Sequence, residues 1–565
     1  MSVENESVSS LVIKSAEAST ERNGGRGGTG VVARPVQPRS TLLSVLHRGF
    51  SFPVLLGATL VAGVCASIYL KLHEMPTLPP GHTHLAIIEG DTWLHILIGE
   101  DLLRTRTFPT KESYSFTAAG KPSMAFEWLG QVGMALVNRA GGLRALAASV
   151  ILLTALLMLL IYYYAWLSSG NSKASFVASV LMMPLISPFY TLRPQLLGYI
   201  FLAITLILLE HFRQGRRKPL WLLPALFVLW VNTHGSFVLG LVVLFVHWVS
   251  GLFAFEVGIL KVERWSRAER QQLTLVSLLS VLALGVTPYG TRLASFTVRT
   301  IFHVPLGMAH IVEYQSLGAF GDLLRIFLLL LLLLILAQIT LGPKYRLAEI
   351  ILLATTAYGA CVHVRLLAFF VLVFAPLMAK LLAGWVPAYN AAKDRYLLNA
   401  FLLALILLGV VRFFPSQQGL ADIVERGFPR SAADYLRGQP AVRLFHEDLW
   451  GGYLVRRLGQ QRKIFLDSRS LYEEAGVFGD YLSIISVEPD TLPLLRKYGI
   501  EACLIERDGP LATFLSALPD WQQVHADKVS ALFYRKSLRP DPGPKLAGKP
   551  GAERSRARML QAIGQ

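Results

Sequence analysis

The sequence predicts an α-helical polytopic membrane protein of about 11 transmembrane helices, followed by a C-terminal soluble α/β domain. Three observations carry that prediction. Apolar runs recur along the chain at roughly the 17 or more residues needed to cross a bilayer core. Only 16% of the 565 residues are charged and 53% are hydrophobic, where a soluble chain carries roughly a quarter charged. From Ser416 the long apolar runs give way to short strand-like segments set among charged residues.

Residues 1–48, rich in Ser, Glu and Gly, read as a disordered cytoplasmic tail. The Gly24–Gly30 run is no phosphate loop, since it lacks the Lys-Ser/Thr ending. Phe50–Leu70 is too long and too late for a cleaved signal peptide and is expected to be an uncleaved anchor. A transmembrane domain over 49–415 then includes a large first outer loop at 71–142. Ten further spans are expected near Leu143–Trp166, Ala174–Tyr190, Pro194–Glu210, Leu220–Asn232, Ser236–Phe255, Gln272–Thr287, Leu323–Leu341, Leu347–Val362, Leu366–Trp385 and Leu397–Phe413. In the soluble domain, 416–536, strands are expected at Arg443–Phe445, Lys463–Leu466, Ala502–Ile505 and Ser530–Tyr534, with a helix at Leu492–Tyr498. Residues 537–565 read as a disordered basic tail.

The formal charge of +17 is spread over short loops between spans rather than gathered on a nucleic-acid face. The basic segments Arg213–Lys218, Lys261–Arg270 and Pro343–Arg346, with Lys393 and Arg395, fall on the side of the N-terminal tail. The positive-inside rule makes that side cytoplasmic and the C-terminal domain extracytoplasmic. Three cysteines without metal or redox spacing indicate neither a disulfide framework nor a zinc site.

This orientation puts every constellation able to do chemistry on the outer face. Glu89 and Asp91 open the apolar-periodic stretch after the first span; Asp91 suits a helix N-cap, and equally a general base beside a second acid. His95 lies one turn later on the same face. Glu127-Trp128 reads as an interface anchor or as a working carboxylate. Arg193 and Arg365, at outer span ends, suit phosphate oxygens or headgroup snorkelling. Asn232-Thr233-His234-Gly235 joins two spans with almost no loop, and Tyr289, Glu313 and His363 stand on the same side.

Several motifs resemble a family of bacterial membrane proteins with the GT-C glycosyltransferase fold. They are Asp91-Thr92-Trp93-Leu94-His95 with Gly99; Pro109, Glu112 and Tyr114-Ser115-Phe116-Thr117; and Gly120, Pro122 and Glu127-Trp128-Leu129. Further matches are Leu192-Arg193-Pro194-Gln195, Trp230–Gly235, Thr287–Gly290, Ile311–Tyr314, Trp450-Gly451-Gly452-Tyr453-Leu454 and Leu466-Asp467-Ser468-Arg469. The chain departs from the family pattern at Glu112, Ser123 and Phe126, where Asp, Trp and His are usual, and in placing His95 after Leu94.

The resemblance implies transfer of a sugar from a polyprenyl-phosphate-linked donor to a glycan, lipid or protein acceptor, on the outer face of the bacterial cytoplasmic (inner) membrane. It implies Asp91 as base with Glu89 as the alternative, and His95 and Glu127 orienting the acceptor or a divalent metal ion, the one cofactor to consider. Arg193, Asn232, His234, Tyr289, Glu313, His363 and Arg365 would contact substrate. Two other readings remain open: a lipid-linked glycan polymerase or ligase, and a non-catalytic glycolipid-binding scaffold.

Overall fold

The computed structural model describes residues 47–74, 88–302 and 310–536, and from Gly49 the chain forms one unit. The tails expected at 1–48 and 537–565 lie, apart from His47 and Arg48, outside the described residues, as does His303. The membrane part runs α1 Phe52–Glu74, α2 Gly90–Thr105, α3 Trp128–Ser169, α4 Ser172–Ile186, α5 Gln195–Arg213, α6 Leu223–Thr233 and α7 Phe237–Ser250. A hairpin follows, β1 Phe255–Val257 and β2 Leu260–Val262, then α8 Arg267–Ala283, α9 Thr291–Phe302, α10 Gly321–Leu341, α11 Leu347–Val362, α12 Leu367–Leu382 and α13 Tyr396–Phe413.

Each expected span coincides with a helix. Among the described residues seven helices are long and apolar enough to cross a membrane, and α7 and α11 are shorter apolar helices. The chain is a multi-pass membrane protein. Two boundaries move for local reasons. α3 is a 42-residue helix broken at Gly141-Gly142, where Gly142 takes φ 56°; only glycine enters that region freely, and the expected span begins just past the break. α8 starts earlier than expected because Ser266 caps it, its Oγ accepting the Glu269 N–H at 3.3 Å while Glu269 accepts the Ser266 N–H at 3.0 Å. The strongly amphipathic α9 was not among the expected elements.

In a bilayer, helices are held by packing and polar contacts more than by exclusion of water. α12 is the hub, with Phe370 and Phe374 fully buried and Phe370 stacked 4.8 Å from Phe374 and 4.7 Å from Phe327 of α10. At the basic ends of the helices, Arg346 pairs with Glu210 at 2.8 Å and Lys380 with Glu349, tying α5, α11 and α12 together.

The C-terminal part begins with α14 Gln417–Gly427 and α15 Arg430–Arg437, then β3 Leu444–His446 and α16 Gly451–Leu458. It continues with α17 Leu471–Glu474, α18 Val477–Ile485, α19 Thr491–Lys497, β4 Ala502–Glu506, α20 Pro510–Ala517, β5 Trp521–Ala526 and β6 Ser530–Arg535. The sheet is mixed, in the order β3-β4-β6-β5, with β3 and β4 parallel (Leu444 opposite Ala502) and the other pairs antiparallel. Phe445, Phe465, Tyr472, Leu495 and Phe533 form its core.

The strand expected at Lys463–Leu466 joins no sheet. Its backbone is used on the loop between α2 and α3: Ile464 N–H donates to the Tyr114 carbonyl and Phe116 N–H to the Ile464 carbonyl, each at 3.1 Å. α2 lies between the two parts. Gly452 packs so tightly on it that a Cβ would sit 2.6 Å from the Leu94 backbone nitrogen.

Candidate active site

Asp91 is not the N-cap of α2. Glu89 holds that position, and its N–H is accepted by Thr92 Oγ1 at 3.1 Å. Thr92 in turn donates to the Leu192 carbonyl at 3.1 Å, drawing the start of α2 against the segment before α5. Asp91 is therefore free to project from the first turn. One oxygen meets Arg193 Nη2 at 2.8 Å, and the other accepts a hydrogen bond from Ser468 of the C-terminal part. Arg193 also pairs with Glu89 and with Glu313, so one guanidinium gathers three carboxylates.

Three acids around one cation, one of them (Glu89) buried, leave excess negative charge, which favours keeping a proton on one of them. Glu89 takes it: burial, opposed by Arg193, raises its carboxyl to about 8. Arg193 is pushed well above its ordinary value by its acidic partners, despite its own burial.

Beside this cluster sits Glu127, with His95 Nε2 at 3.6 Å and His234 Nε2 at 3.5 Å, one against each oxygen. The imidazole tautomers follow from their other contacts. Ser236 N–H donates to His234 Nδ1 at 3.1 Å, so the ring proton is on Nε2, facing Glu127. Ser236 Oγ, 2.8 Å from the same nitrogen, accepts from Trp230 Nε1 at 2.9 Å. Gln131 Nε2 lies 3.2 Å from His95 Nδ1 and orders that ring in the same way. Burial lowers His95 to about 4 and His234 to about 3, so both rings are neutral at pH 7. Burial, then Asp91, raises Glu127 to about 8. Asp91 is more accessible than Glu127, its side chain 20% exposed against 9%, and Glu313 stands at 29%.

A divalent metal ion does not fit these residues. Arg193 already fills the space among Glu89, Asp91 and Glu313, and His234 turns a proton rather than a lone pair toward Glu127. Among the described residues no three His, Cys, Asp or Glu side chains are grouped to hold one.

Asp91, Arg193, His95, Glu127 and His234 line a cavity of about 2080 Å³, with Arg365, His363, Glu313 and Tyr314 on one side; Glu89, expected as the alternative base, does not line it. The Arg365 guanidinium lies 4.4 Å from the Tyr314 ring centre, and His363 Nδ1 is 2.7 Å from the Tyr314 carbonyl. Phe126, Val238, Leu239, Phe296 and Phe369 give the cavity an apolar wall, while Glu447, Asp448, Ser468 and Glu473 face it from the C-terminal part. Burial raises Glu447 to about 8 and Asp448 to about 6.

Two expected substrate contacts are placed elsewhere. Asn232 accepts from Trp128 Nε1 at 2.6 Å and donates to the Val228 and Val286 carbonyls at 2.8 and 2.9 Å, which uses up the amide. Tyr289 accepts the Ala125 N–H and donates to the Pro109 carbonyl, both at 3.0 Å, pinning the loop between α2 and α3. Neither lines the cavity.

Comparisons with known proteins complete the description. No family model matches the chain, and no curated protein matches it in sequence. Among solved structures it is similar to the oligosaccharyltransferase of Archaeoglobus fulgidus tethered to an acceptor peptide containing the NVT sequon. The TM-score is 0.46 at 13% identity, over 79% of this chain and 69% of that one. AglB, an archaeal oligosaccharyltransferase from the same organism, in complex with an inhibitory peptide and a dolichol-phosphate, gives 0.46 at 11%, over 79% and 69%. ArnT from Cupriavidus metallidurans in the apo state gives 0.45 at 14%, over 84% and 97%. The chemistry of the site rests on its own residues.

The motif departures have local explanations. Phe126 packs on Phe296 of α9 at 5.8 Å and builds the apolar wall. Glu112 accepts the Tyr114 and Ser115 N–H groups at 2.6 and 2.9 Å and pairs with Arg469 at 2.6 Å. Ser123 accepts from Arg469 at 3.3 Å. Ser468, Gln131, Ser236 and Tyr314 were not expected as site residues. The Leu466–Arg469 motif stood out in the sequence, but nothing local to it indicates that its serine meets Asp91.

Proposed function

We propose that the chain is a membrane glycosyltransferase that moves a sugar from a polyprenyl-phosphate-linked donor to an acceptor hydroxyl at the outer face of the bacterial cytoplasmic membrane. One observation carries this reading. A cavity at the ends of apolar helices combines an ion-paired, accessible carboxylate (Asp91), cationic donors (Arg365, Arg193) and an apolar wall. Its volume exceeds the roughly 300–1,000 Å³ of a one-ligand pocket, which suits two substrates.

Asp91 takes the proton of the acceptor hydroxyl while Arg193 holds the other carboxylate oxygen. The acceptor oxygen attacks the anomeric carbon, the bond from that carbon to the phosphate oxygen breaks, and polyprenyl phosphate leaves with the electron pair. Arg365 meets the phosphate charge, His363 is held by its Nδ1–H on the Tyr314 carbonyl, and the apolar wall carries the first part of the prenyl chain. The Nε2–H groups of His95 and His234 hold Glu127 facing the acceptor.

The test compares lipid-linked and surface glycans in cells with and without the protein, and in cells carrying Asp91→Asn. We expect an accumulated donor and a missing product in the deletion strain, with Asp91→Asn reducing transfer by roughly 100- to 10,000-fold. Unchanged glycans in the deletion strain, or full transfer by Asp91→Asn, would refute the reading.

A further inference from the structure

Ser468 belongs to the C-terminal part, 377 residues from the acid it touches, and its hydroxyl donates to Asp91 Oδ1. It is held there by its neighbours. Asp467 is buried and grips Arg469 through two bonds, Nε–Oδ1 at 2.8 Å and Nη2–Oδ2 at 2.6 Å. Arg469 also pairs with buried Glu112 at 2.6 Å and donates to Ser123 at 3.3 Å, both on the first outer loop. Its guanidinium lies 5.4 Å from the Tyr114 ring centre. The turn carrying Ser468 is thus fastened on either side of the acid, while Ser468 itself is exposed to the cavity.

We infer that Ser468 is a positioning residue for Asp91, so that the C-terminal part supplies one wall of the reaction centre. The inference rests on Asp91 being the base. With Arg193 on Oδ2 and Ser468 on Oδ1, the carboxylate plane is fixed, and a second lone pair on Oδ1 is left for the acceptor proton. A carboxylate that loses such a donor becomes harder to ionise and freer to rotate.

The experiment uses the full-length protein in membrane vesicles, with envelopes of the deletion strain as the source of donor and acceptor. Transfer is followed from pH 5 to 9 for Ser468→Ala, Ser468→Thr and Asp91→Asn. Thermal stability and binding of undecaprenyl phosphate to the purified proteins are measured alongside. We expect Ser468→Ala to lose roughly tenfold in rate near neutrality and to shift the acid limb upward by about one pH unit. Ser468→Thr should stay within about twofold, with stability and undecaprenyl phosphate binding unchanged in both. Wild-type rate and pH profile in Ser468→Ala, or equal losses in Ala and Thr, would overturn the assignment. If Ser468→Ala itself loses stability, the Thr variant decides, because it keeps the hydroxyl. Full activity of Asp91→Asn would instead remove the reading on which the inference stands.

Discussion

Arg193 is the residue on which the acid cluster depends, since Glu89, Asp91 and Glu313 all meet its guanidinium. Replacing it with Gln leaves the buried Glu89 carboxylate without a counter-charge, an effect worth about 3–5 kcal/mol. Thermal unfolding in detergent should show that loss at pH 7–8, with partial recovery below pH 5 as the acids take up protons. Glu89 gives a second test. Its folded value, about 8, lies above its ordinary 4.5, so the native state binds more protons than the unfolded chain between those values. Stability from this group is therefore fully present below pH 4.5 and is lost as pH rises toward 8. Glu89→Gln should flatten the decline in melting temperature over that window, and an unchanged slope would contradict the assignment. The two histidines act oppositely. Lowered by burial, they take stability away as pH falls below 6.5.

Among the elements, α6 and α2 show how packing rather than binding uses polar residues and glycine. Asn232 of α6 bridges Trp128 of α3 and the Val286 carbonyl beyond α8. Asn232→Ala should cost about 1–3 kcal/mol, measured as a lower melting temperature, with the Michaelis constants of the surviving protein unchanged. Gly452→Ala on α16 would press a methyl group into the Leu94 backbone, an overpacking cost of about 1–3 kcal/mol. Because α2 carries Asp91, that variant should lose rate as well as stability. The spans were legible in the sequence because long, mostly apolar runs such as Gly321–Leu341, with Asp322 and Arg325 confined to its first turns, leave little alternative. β5 was not, since Trp521–Ala526 is an edge strand with exposed Gln522 and Gln523 and no run of apolar residues. The Lys463–Leu466 segment has strand composition, but its partner is the outer loop, which no local pattern reveals.

At the scale of the whole molecule, the two sides of the helix bundle differ in charge. The Arg346, Glu210, Lys380 and Glu349 pairs lie with the basic loops, and the cavity lies at the other helix ends. In a version lacking Cys65, Cys361 and Cys503, a cysteine placed at Glu473 should react with an impermeant maleimide on intact spheroplasts. One placed at Arg217 should react only after permeabilisation. The reverse pattern would invert the orientation read from the basic loops. The acids, histidines and arginines of the site stood out in the sequence because such residues are costly near a bilayer. Their partners did not, because Asp91 with Ser468, and Arg193 with Glu313, are contacts across the chain whose spacing carries no periodic signal.

The bond from Lys463 Nζ to the Ser113 carbonyl, at 2.6 Å, joins segments 350 residues apart, and the Ser468–Asp91 contact spans 377. Synthesis at roughly 5–20 residues per second separates the emergence of these partners by about 20–75 seconds. Throughout that interval the loop between α2 and α3 lacks its C-terminal partners, so on the proposed reading catalytic competence should arrive only with the final fifth of the polypeptide. A chain stalled or cleaved before residue 463 would carry every helix of the membrane part and, on the proposed reading, should be inert. In pulse–chase samples, a cysteine pair at 113 and 463 should cross-link only in full-length chains, at the same moment that transfer activity appears.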